Sequence, residues 1–323
     1  MAFSSEQARQ LQNLIQFYET WKEISQRLAR LPGGMYWKVV NSTEYLYKHL
    51  TSSGIRQATS IGPRNETTEA LFTEFREQKE GLLERLTGIE QRINELAPLV
   101  RALNLPAVDD LAGRVLRALD QTEVIGRQIL VIGTYAVTAY EVAARDRFAA
   151  GLEATDDLDF TILLGTPERR VDADLPRRLL LTLRQVDRSF IVSNSPKTIV
   201  NRSGYRVDLL MSKEVAQVMQ PAFPWKPQLL AGQEWLLLGE PLEQVVVDLS
   251  GWPVPIAAPD PRYFALHKLW LSEQRDRMRT GRSRKDRQQG DALIQAIRAH
   301  MPHYPLDQHF RQTVPEPLRR FLS

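Results

Sequence analysis

The chain has 323 residues, 43% of them hydrophobic and 25% charged, which is the composition of a globular protein with one sizeable core and two or three structural units. It contains no cysteine, so disulfide bridges and thiolate zinc sites are excluded. The formal net charge of +3 is only mildly basic, and any argument for nucleic-acid binding therefore depends on where the basic residues lie.

The sequence contains no segment typical of membrane insertion or secretion. No apolar run approaches the roughly 20 residues that a helix needs to cross a bilayer. The first ten residues, "MAFSSEQARQ", lack the charged and apolar regions of a signal peptide. The sequence therefore predicts a cytoplasmic protein.

The first predicted elements are a helix and a small sheet. Residues 4–31 place apolar side chains at helical spacing behind the capping pair Ser4 and Gln7. Residues 35–62 contain three β-rich runs separated by turn residues, which predicts an antiparallel meander. Its aromatic and basic side chains leave two interpretations open, cross-strand packing and a nucleic-acid platform; they are Trp37, Lys38, Tyr45, Tyr47, Lys48, Arg56 and Arg64.

A long helical segment follows the meander. Residues 66–103 are polar, with leucine and isoleucine at heptad-like intervals, and this pattern predicts a helical hairpin or arm broken near Gly88 or Pro98. Such a charge-laced helix is typical of a solvated face or an oligomer contact. A second copy of the chain and a cognate partner protein are therefore both open as partners.

The rest of the chain alternates between strand and helix patterns before it becomes helical. The predicted elements are a strand at 127–133, a helix at 134–146, a strand at 158–165, a helix at 174–187, and a hairpin of 197–203 and 205–212 joined at Gly204. Three C-terminal helices are predicted at about 260–277, 284–300 and 306–321.

These elements predict an α+β fold with a small mixed-sheet core. A helix, a meander and a helical arm precede the core, and a helical bundle follows it. Residues 104–113, "NLPAVDDLAG", are the expected hinge into the core. The predicted domains are 1–122, 123–255 and 256–323.

Two acids interrupt the predicted strand in the stretch "GLEATDDLDFTILLG" at residues 151–165. Because strand side chains alternate between faces, Asp157 and Asp159 point to the same side. Two carboxylates that close repel each other unless a proton or a cation lies between them, which favours a divalent metal such as Mg²⁺. The alternative is a pair of solvated acids at a strand edge.

Two more features of the core bear on these acids. Gly133 permits a tight turn from strand to helix, and Thr134 presents a hydroxyl beside the first helical amides, as a phosphate-binding turn does. In "GYRVDLL" the alternation places Asp208 and Arg206 on one face. If the strands adjoin, three carboxylates converge beside the turn. This arrangement suits two-metal nucleotidyl transfer, in which Asp157 and Asp159 hold both ions and Asp208 completes the shell of the second.

At this point the chain resembles a known family. The order "VIGTYAV…ATDDLDF…YRVDLL" is similar to the nucleotidyltransferase fold of the DNA polymerase β-like superfamily, in which Gly-Ser is followed by D-x-D and a later single Asp. Thr134 stands where that family usually has serine. The segment "YW…YLY…SIGPR" at residues 36–64 also resembles bacterial stand-alone nucleotidyltransferase-fold proteins. The resemblance implies a nucleotidyltransferase core.

A second resemblance lies in "HKLWLSEQRDRMRTGRSRKDRQQGDAL" at residues 267–293. Lys268 and Arg275 are two helical turns apart, and with Lys285 and Asp286 they are similar to the K…R…KD motif of abortive-infection type nucleotidyltransferase toxins. By that resemblance Lys268 meets the nucleotide phosphates and Asp286 steadies a neighbouring cation. A solvated pair of basic helices is the alternative.

These observations predict metal-dependent transfer of a nucleoside monophosphate from an NTP to a hydroxyl of RNA, such as a tRNA 3′ end, with a toxin or defence role. The alternatives are a protein adenylyltransferase acting on Ser, Thr or Tyr, and a non-catalytic nucleotide-binding or interaction module. The predicted cofactor is Mg²⁺ or Mn²⁺. Gly133, Thr134, Lys268 and Arg275 are the predicted nucleotide-binding residues, and the predicted nucleic-acid contacts are Arg206, Arg282, Arg284 and Lys285.

Overall fold

The fold of the computed structural model is α+β, as the sequence predicts. The chain forms two compact units, which are Ile15–Leu96 and the combination of Met1–Leu14 with Ala97–Ser323. The three domains proposed from the sequence stay a prediction. The structure describes residues 2–52, 55–148, 157–163, 172–194, 198–218 and 225–322.

Helix α1 spans Ser5–Arg30, and its first turn confirms the predicted capping pair. The Ser4 amide donates to Gln7 Oε1 at 2.7 Å, and the Gln7 amide donates to Ser4 Oγ at 3.2 Å. These bonds satisfy amides that have no partner within the helix. Apolar side chains at helical spacing are buried along one stripe of α1; they are Leu11, Leu14, Tyr18, Trp21 and Ile24.

The predicted meander is confirmed as a three-stranded antiparallel sheet in the order β1-β2-β3. Beside it, Arg64 donates to Glu44 and Glu69 and lies 5.1 Å from the centre of the Trp37 ring. These contacts match the packing interpretation for Arg64. The side chain of Arg56 lies outside the described residues, and the nucleic-acid platform stays a prediction. The strands are β1 Gly34–Val40, β2 Thr43–Ser52 and β3 Ile55–Pro63.

Helix α2 runs without interruption from Glu66 to Ala102, so the predicted break near Gly88 or Pro98 is wrong. A glycine inside a helix costs only about 1 kcal/mol relative to alanine, and a proline removes one amide donor. The buried stripe continues across both positions, because its side chains recur at three-, four- and seven-residue spacing. These buried side chains are Phe75, Leu82, Ile89, Ile93, Ala97 and Val100.

Mixed strands and helices follow α2. They are β4 Ala107–Val108, α3 Asp110–Gln121, β5 Ile129–Ile132, α4 Thr134–Ala144, β6 Asp157–Ile162, α5 Leu175–Val186, β7 Ile191–Val192, β8 Thr198–Val200, β9 Arg206–Met211 and α6 Lys213–Val218. The C-terminal elements are β10 Gln228–Leu229, β11 Leu242–Asp248, β12 Pro253–Ala258, α7 Pro261–Ser272, α8 Arg275–Arg279, α9 Arg282–His300, α10 Gln308–Thr313 and α11 Glu316–Arg319.

The central sheet is mixed and has the strand order β5-β6-β9-β8-β7, with β10 paired to β9. Strands β6 and β9 run parallel, while β5 pairs antiparallel with β6 and β8 pairs antiparallel with β9. The predicted hairpin through Gly204 is therefore confirmed. Within the described residues, none of the helices combines the length and the apolar character that a bilayer crossing requires.

Sequence patterns missed helix α3 and a third sheet in the order β12-β11-β4. The expected hinge at 104–113 instead contains β4 and the start of α3, which Asp109 caps by accepting from the Ala112 amide at 2.8 Å. Strand β12 carries Pro253 and Pro255, which argue against a strand in sequence. It tolerates them because it is an edge strand with one neighbour.

The first predicted C-terminal helix is shorter than expected. It ends at Ser272 instead of about residue 277, and α8 and α9 follow as separate helices. Gly281 adopts a positive φ of 70° between α8 and α9, which redirects the chain. Helices α7 and α9 come very close together, since a Cβ on Gly290 would lie 2.7 Å from Leu269 Cγ.

Candidate active site

The predicted acids lie on two neighbouring strands, β6 and β9. Their register places Asp159 directly opposite Asp208 and Asp157 directly opposite Arg206. The residues that alternate with the acids along β6 and β9 are fully buried on the other face of the sheet; they are Leu158, Phe160, Val207 and Leu209. The acids therefore lie on the partly exposed face. Three carboxylates therefore share one face of two hydrogen-bonded strands.

The electrostatic environment of these acids is unfavourable for negative charge. Burial, together with the nearby charges of Asp157 and Asp208, raises the pKa of Asp159 from 3.8 to about 7, although the charges of Lys268 and Arg277 act in the opposite direction. One buried carboxylate oxygen, Asp208 Oδ1, has no hydrogen-bond partner among the described residues. A buried acceptor without a donor is rare, which makes Asp208 a candidate ligand of a cation.

These features fit a divalent cation in donor chemistry and charge, because hard cations prefer carboxylate oxygens. Asp157, Asp159 and Asp208 are the residues that would hold it. Within the described part of the chain, however, no three acidic or histidine side chains are already arranged as a metal site. The two-ion arrangement therefore stays a prediction.

The turn after β5 lies against the same acids. Gly133 has a φ of 72° and a ψ of −147°, and a Cβ at this position would lie 2.7 Å from Asp159 Oδ2. Any other residue would be strained and would collide with that carboxylate. Thr134 is the first residue of α4, so the free amides of the helix start adjoin the acids.

A cavity of about 920 Å³ opens in front of the acids and the glycine turn. This volume lies within the usual range for small-molecule sites, roughly 300–1,000 Å³. The sheet contributes the acids, and helices α7 to α9 contribute most of the basic residues. The basic lining residues are Arg206, Lys268, Arg277, Arg282 and Lys285.

Lys268 and Asp286 form a nearly buried ion pair in the helical wall. Lys268 Nζ lies 2.8 Å from Asp286 Oδ1, and the two side chains are 11% and 5% exposed. Arg277 Nε lies 3.7 Å from the other oxygen of Asp286. The carboxylate thus steadies two cations that line the cavity.

The proposed pairing of Lys268 with Arg275 on one helix is wrong. Helix α7 ends at Ser272, and Arg275 begins α8, so the two-turn spacing does not place them on a common face. On α8 the arginine that lines the cavity is Arg277.

Two of the three predicted nucleic-acid contacts on helix α9 line the cavity, and the third does not. Arg282 and Lys285 are three residues apart, lie on one face of the helix and line the cavity. Arg284 is exposed on a different face of α9. Burial lowers the pKa of Lys285, the charge of Lys268 acts in the same direction, and the charge of Asp157 opposes both.

Sequence reasoning missed a cluster formed by Asp109, Tyr135 and Tyr205. The Tyr135 hydroxyl donates to Asp109 Oδ2, the Tyr205 hydroxyl lies 3.3 Å from the same oxygen, and the two hydroxyls are 3.2 Å apart. Burial raises the pKa of both tyrosines far above the ordinary value, so both remain protonated donors. Tyr135 follows Thr134, and Tyr205 precedes Arg206. The cluster therefore joins the glycine turn to the start of β9.

Only the capping role of Asp109 had a signal in the sequence. An aspartate before an amphipathic helix is typical of an N-cap. Its contacts with Tyr135 and Tyr205 join segments that are far apart in sequence, and no local pattern reports such contacts.

The mixed sheet thus brings the paired acids and the glycine turn to one cavity. A family model described as nucleotidyltransferase matches residues 110–315, and the chain belongs to that nucleotidyltransferase family. Such proteins act on NTP substrates and generally use divalent metals. No curated protein and no solved structure matches the chain.

Removal of the Tyr135 hydroxyl should reduce nucleotidyl transfer more than it reduces stability. Tyr135→Phe and Tyr140→Phe each delete one buried hydroxyl from α4, and the Tyr140 hydroxyl donates to the Pro259 carbonyl at 2.9 Å instead of to Asp109. We expect each change to cost about 1–2 kcal/mol of unfolding free energy. Only Tyr135→Phe should lower kcat, by roughly tenfold, because it loosens the glycine turn.

Denaturant unfolding and pyrophosphate release, measured on both tyrosine variants, test this prediction. Equal kcat values in the two variants would contradict a positioning role for Tyr135. Tyr205→Phe should resemble Tyr135→Phe, since its hydroxyl shares the same acceptor oxygen.

His267 should make the protein sensitive to mild acid. Burial lowers its pKa from 6.5 to about 4, and the charges of Lys268 and Arg277 act in the same direction while Asp286 opposes them. Between pH 6.5 and 4 the unfolded chain binds a proton that the folded chain rejects, so stability falls as the pH falls. The loss from pH 7 to pH 5 should be about 2 kcal/mol.

The matched variant for this prediction is His267→Gln, which cannot titrate. The ring lies against Trp270, and Nε2 is 3.3 Å from the Ala231 carbonyl, a bond that a glutamine amide can replace. Urea unfolding at pH 7 and pH 5 should show the extra loss only in the parent protein. The same pH dependence in both proteins would exclude His267 as its source.

Proposed function

We propose that the protein transfers a nucleoside monophosphate from an NTP to a hydroxyl group of RNA in a metal-dependent reaction. One observation carries the proposal. Asp159 and Asp208 are cross-strand neighbours on the acidic wall of a cavity whose opposite wall is basic. The triphosphate of an NTP is a polyanion that the basic wall can bind. Its reacting phosphate can approach the three carboxylates only when the negative charge of these carboxylates is neutralised.

The turn at Gly133 and the helical wall bind the triphosphate. The amides at the start of α4 point their partial positive charge at a phosphate, and Lys268 and Arg282 offer full positive charges on the other side. Asp157, Asp159 and Asp208 would hold the divalent ions. When bound, such ions would neutralise the charge that develops on the transferred phosphate and on the departing pyrophosphate.

Asp208 also receives the proton of the attacking hydroxyl. Its carboxylate lines the cavity, so a hydroxyl that enters the cavity can donate to it. As the hydroxyl oxygen bonds to the α-phosphate, the bond between that phosphate and the β-phosphate oxygen breaks. Pyrophosphate leaves with its charge balanced by the cations of the helical wall.

RNA is the favoured acceptor because exposed arginines lie at the cavity. Arg206 and Arg282 are both exposed and both line it, so a polyanionic acceptor gains contacts that an uncharged protein hydroxyl would not. A tRNA 3′ end is one acceptor that satisfies this requirement. The toxin or defence role stays a prediction.

The test is incubation of the purified protein with each of the four α-labelled NTPs, Mg²⁺ or Mn²⁺, total RNA and cell protein. We expect label at RNA 3′ ends together with release of pyrophosphate, and neither product with Asp159→Asn. Label on protein instead of RNA would replace RNA with a protein acceptor. Absence of label from both pools with every NTP would refute nucleotidyl transfer as the activity.

A further inference from the structure

A second concavity lies next to the catalytic cavity across the turn between β8 and β9. It has a volume of about 620 Å³. Ser203 lines this concavity, and the next residue, Gly204, lines the catalytic cavity. The residues around it are Asp187, Arg188, Ser189, Asn201, Arg202 and Ser203, which we call the arginine groove.

The only acid among these groove residues is already occupied by internal hydrogen bonds. Asp187 accepts from the Ser189 amide at 2.9 Å, from Ser189 Oγ at 2.8 Å and from Asn201 Nδ2 at 3.0 Å. These hydrogen bonds lower the pKa of Asp187, and the bond from the Ser189 amide has the largest effect. The nearby charge of Arg114 acts in the same direction. The carboxylate is therefore engaged in holding the loop and does not pair with the groove arginines.

The arginines of the groove have no carboxylate partner within the described residues. Arg188 and Arg202 are exposed, and so is Arg206 on the neighbouring strand. Among the described residues, no carboxylate forms a salt bridge with any of these three guanidinium groups. Exposed arginines thus extend from the groove to the acids, since Arg206 lies opposite Asp157 in the sheet.

The turn that separates the two concavities is well ordered by its own hydrogen bonds. Asn201 Oδ1 accepts from Ser203 Oγ at 2.8 Å and from the Tyr205 amide at 2.9 Å. Gly204 has a φ of 89°, and its amide donates to the Asn201 carbonyl at 3.1 Å. Arg202 and Arg206 are therefore attached to a backbone of defined shape, which lowers the entropic cost of binding a ligand to both.

We propose that the arginine groove binds the phosphate backbone of a single-stranded RNA acceptor, upstream of the 3′ end whose hydroxyl reaches Asp208. This inference rests on the proposed function, and it defines the acceptor as a strand of several nucleotides. Guanidinium groups bind phosphate oxygens through two parallel hydrogen bonds, which suits them to a repeating phosphate backbone. A protein acceptor has no regular anion to occupy the groove.

The first test measures binding of a fluorescent 12-nucleotide single-stranded RNA to the full chain, without NTP, at several salt concentrations. Arg188→Gln combined with Arg202→Gln should raise Kd by about tenfold. The slope of log K against log salt should become shallower by about 1.4, because two phosphate contacts are lost at about 0.7 each. The control is Arg101→Gln with Arg298→Gln, which removes the same charge from exposed arginines outside the groove.

The second test distinguishes RNA binding in the arginine groove from nucleotidyl transfer at the acids. Transfer to a dinucleotide, which is too short to fill both concavities, should be unchanged in the groove double variant, while the KM for the 12-nucleotide acceptor should rise about tenfold. Equal RNA affinity in the groove variant and the control would overturn the groove and leave nucleotidyl transfer intact. Groove-dependent RNA binding without transfer to any RNA would refute the proposed function and retain the groove.

Discussion

Replacement of Asp159 or Asp208 by asparagine is expected to lower kcat for nucleotidyl transfer by at least about 10³-fold while the protein stays folded. Asp159 and Asp208 lie opposite each other on two hydrogen-bonded strands and line the cavity, and each change removes one of these two carboxylates. Asparagine keeps the shape of the side chain but cannot neutralise a divalent cation or accept a proton at neutral pH. Pyrophosphate release with saturating NTP and Mg²⁺ measures the effect.

Stability should respond in the opposite direction from activity. Because the fold raises the pKa of Asp159 from 3.8 to about 7, ionisation of this acid costs stability that grows as the pH rises between these values. Asp159→Asn removes that cost, and at pH 8 without metal it should raise the free energy of unfolding by about 2 kcal/mol, after allowance for partial exposure of the site.

The control for both measurements is Asp174→Asn, which changes an exposed acid before α5. It should leave kcat and stability within experimental error. Full activity in Asp159→Asn or Asp208→Asn would refute the assignment of these acids. A large loss of stability in Asp159→Asn would show that the carboxylate is satisfied in the fold and does not await a cation.

Lys268→Met is the second change with a large expected effect, because it leaves Asp286 buried without its closest cation. Loss of one partner of a buried ion pair typically costs about 3–5 kcal/mol. The 2.8 Å contact and the low exposure of both side chains place this pair in that class. If Lys268 also binds the triphosphate, kcat/KM for NTP should fall 10- to 100-fold in addition to the loss of stability.

A double-mutant cycle separates the structural role of Lys268 from phosphate binding. Lys268→Met combined with Asp286→Leu should recover most of the lost stability, since well-packed apolar residues often replace a buried pair without cost. NTP use should stay low in the double variant. If NTP use recovers together with stability, the lysine serves the fold and does not contact phosphate.

Arg275→Gln is the matched control for this cycle. Arg275 is exposed on α8, while the cavity-lining arginine of that helix is Arg277. We expect no change in KM for NTP with Arg275→Gln and a clear increase with Arg277→Gln. A larger effect at Arg275 would restore the assignment made from the sequence spacing.

Local patterns predicted most of the secondary structure because they report burial on one face of an element. The alternation in β6 and β9 and the capping pair Ser4 and Gln7 depend only on nearby residues. Patterns failed where packing compensated for a weak local signal. Helix α2 continues through Gly88 and Pro98 because its buried stripe offsets both residues, and β12 keeps its prolines because it lies at a sheet edge.

Some features of the candidate site follow from local sequence, and others depend on tertiary packing. The common direction of Asp157 and Asp159 follows from strand geometry, and the glycine in the turn follows from the need for positive φ. The neighbour of Asp159 could not be predicted, because the register of two parallel strands depends on the whole sheet. The contact of Lys268 with Asp286 likewise requires the close packing of α7 on α9 at Gly290.

The sequence by itself determined the α+β class, the face on which the acids lie and the presence of a tight glycine turn between strand and helix, since each follows from alternation, composition or backbone freedom within a few residues. Only the tertiary structure decided that Asp208 lies opposite Asp159, that Tyr135 and Tyr205 share Asp109, and that the arginine groove adjoins the cavity. These contacts join residues distant in the chain, and packing of the complete sheet and helices sets their distances.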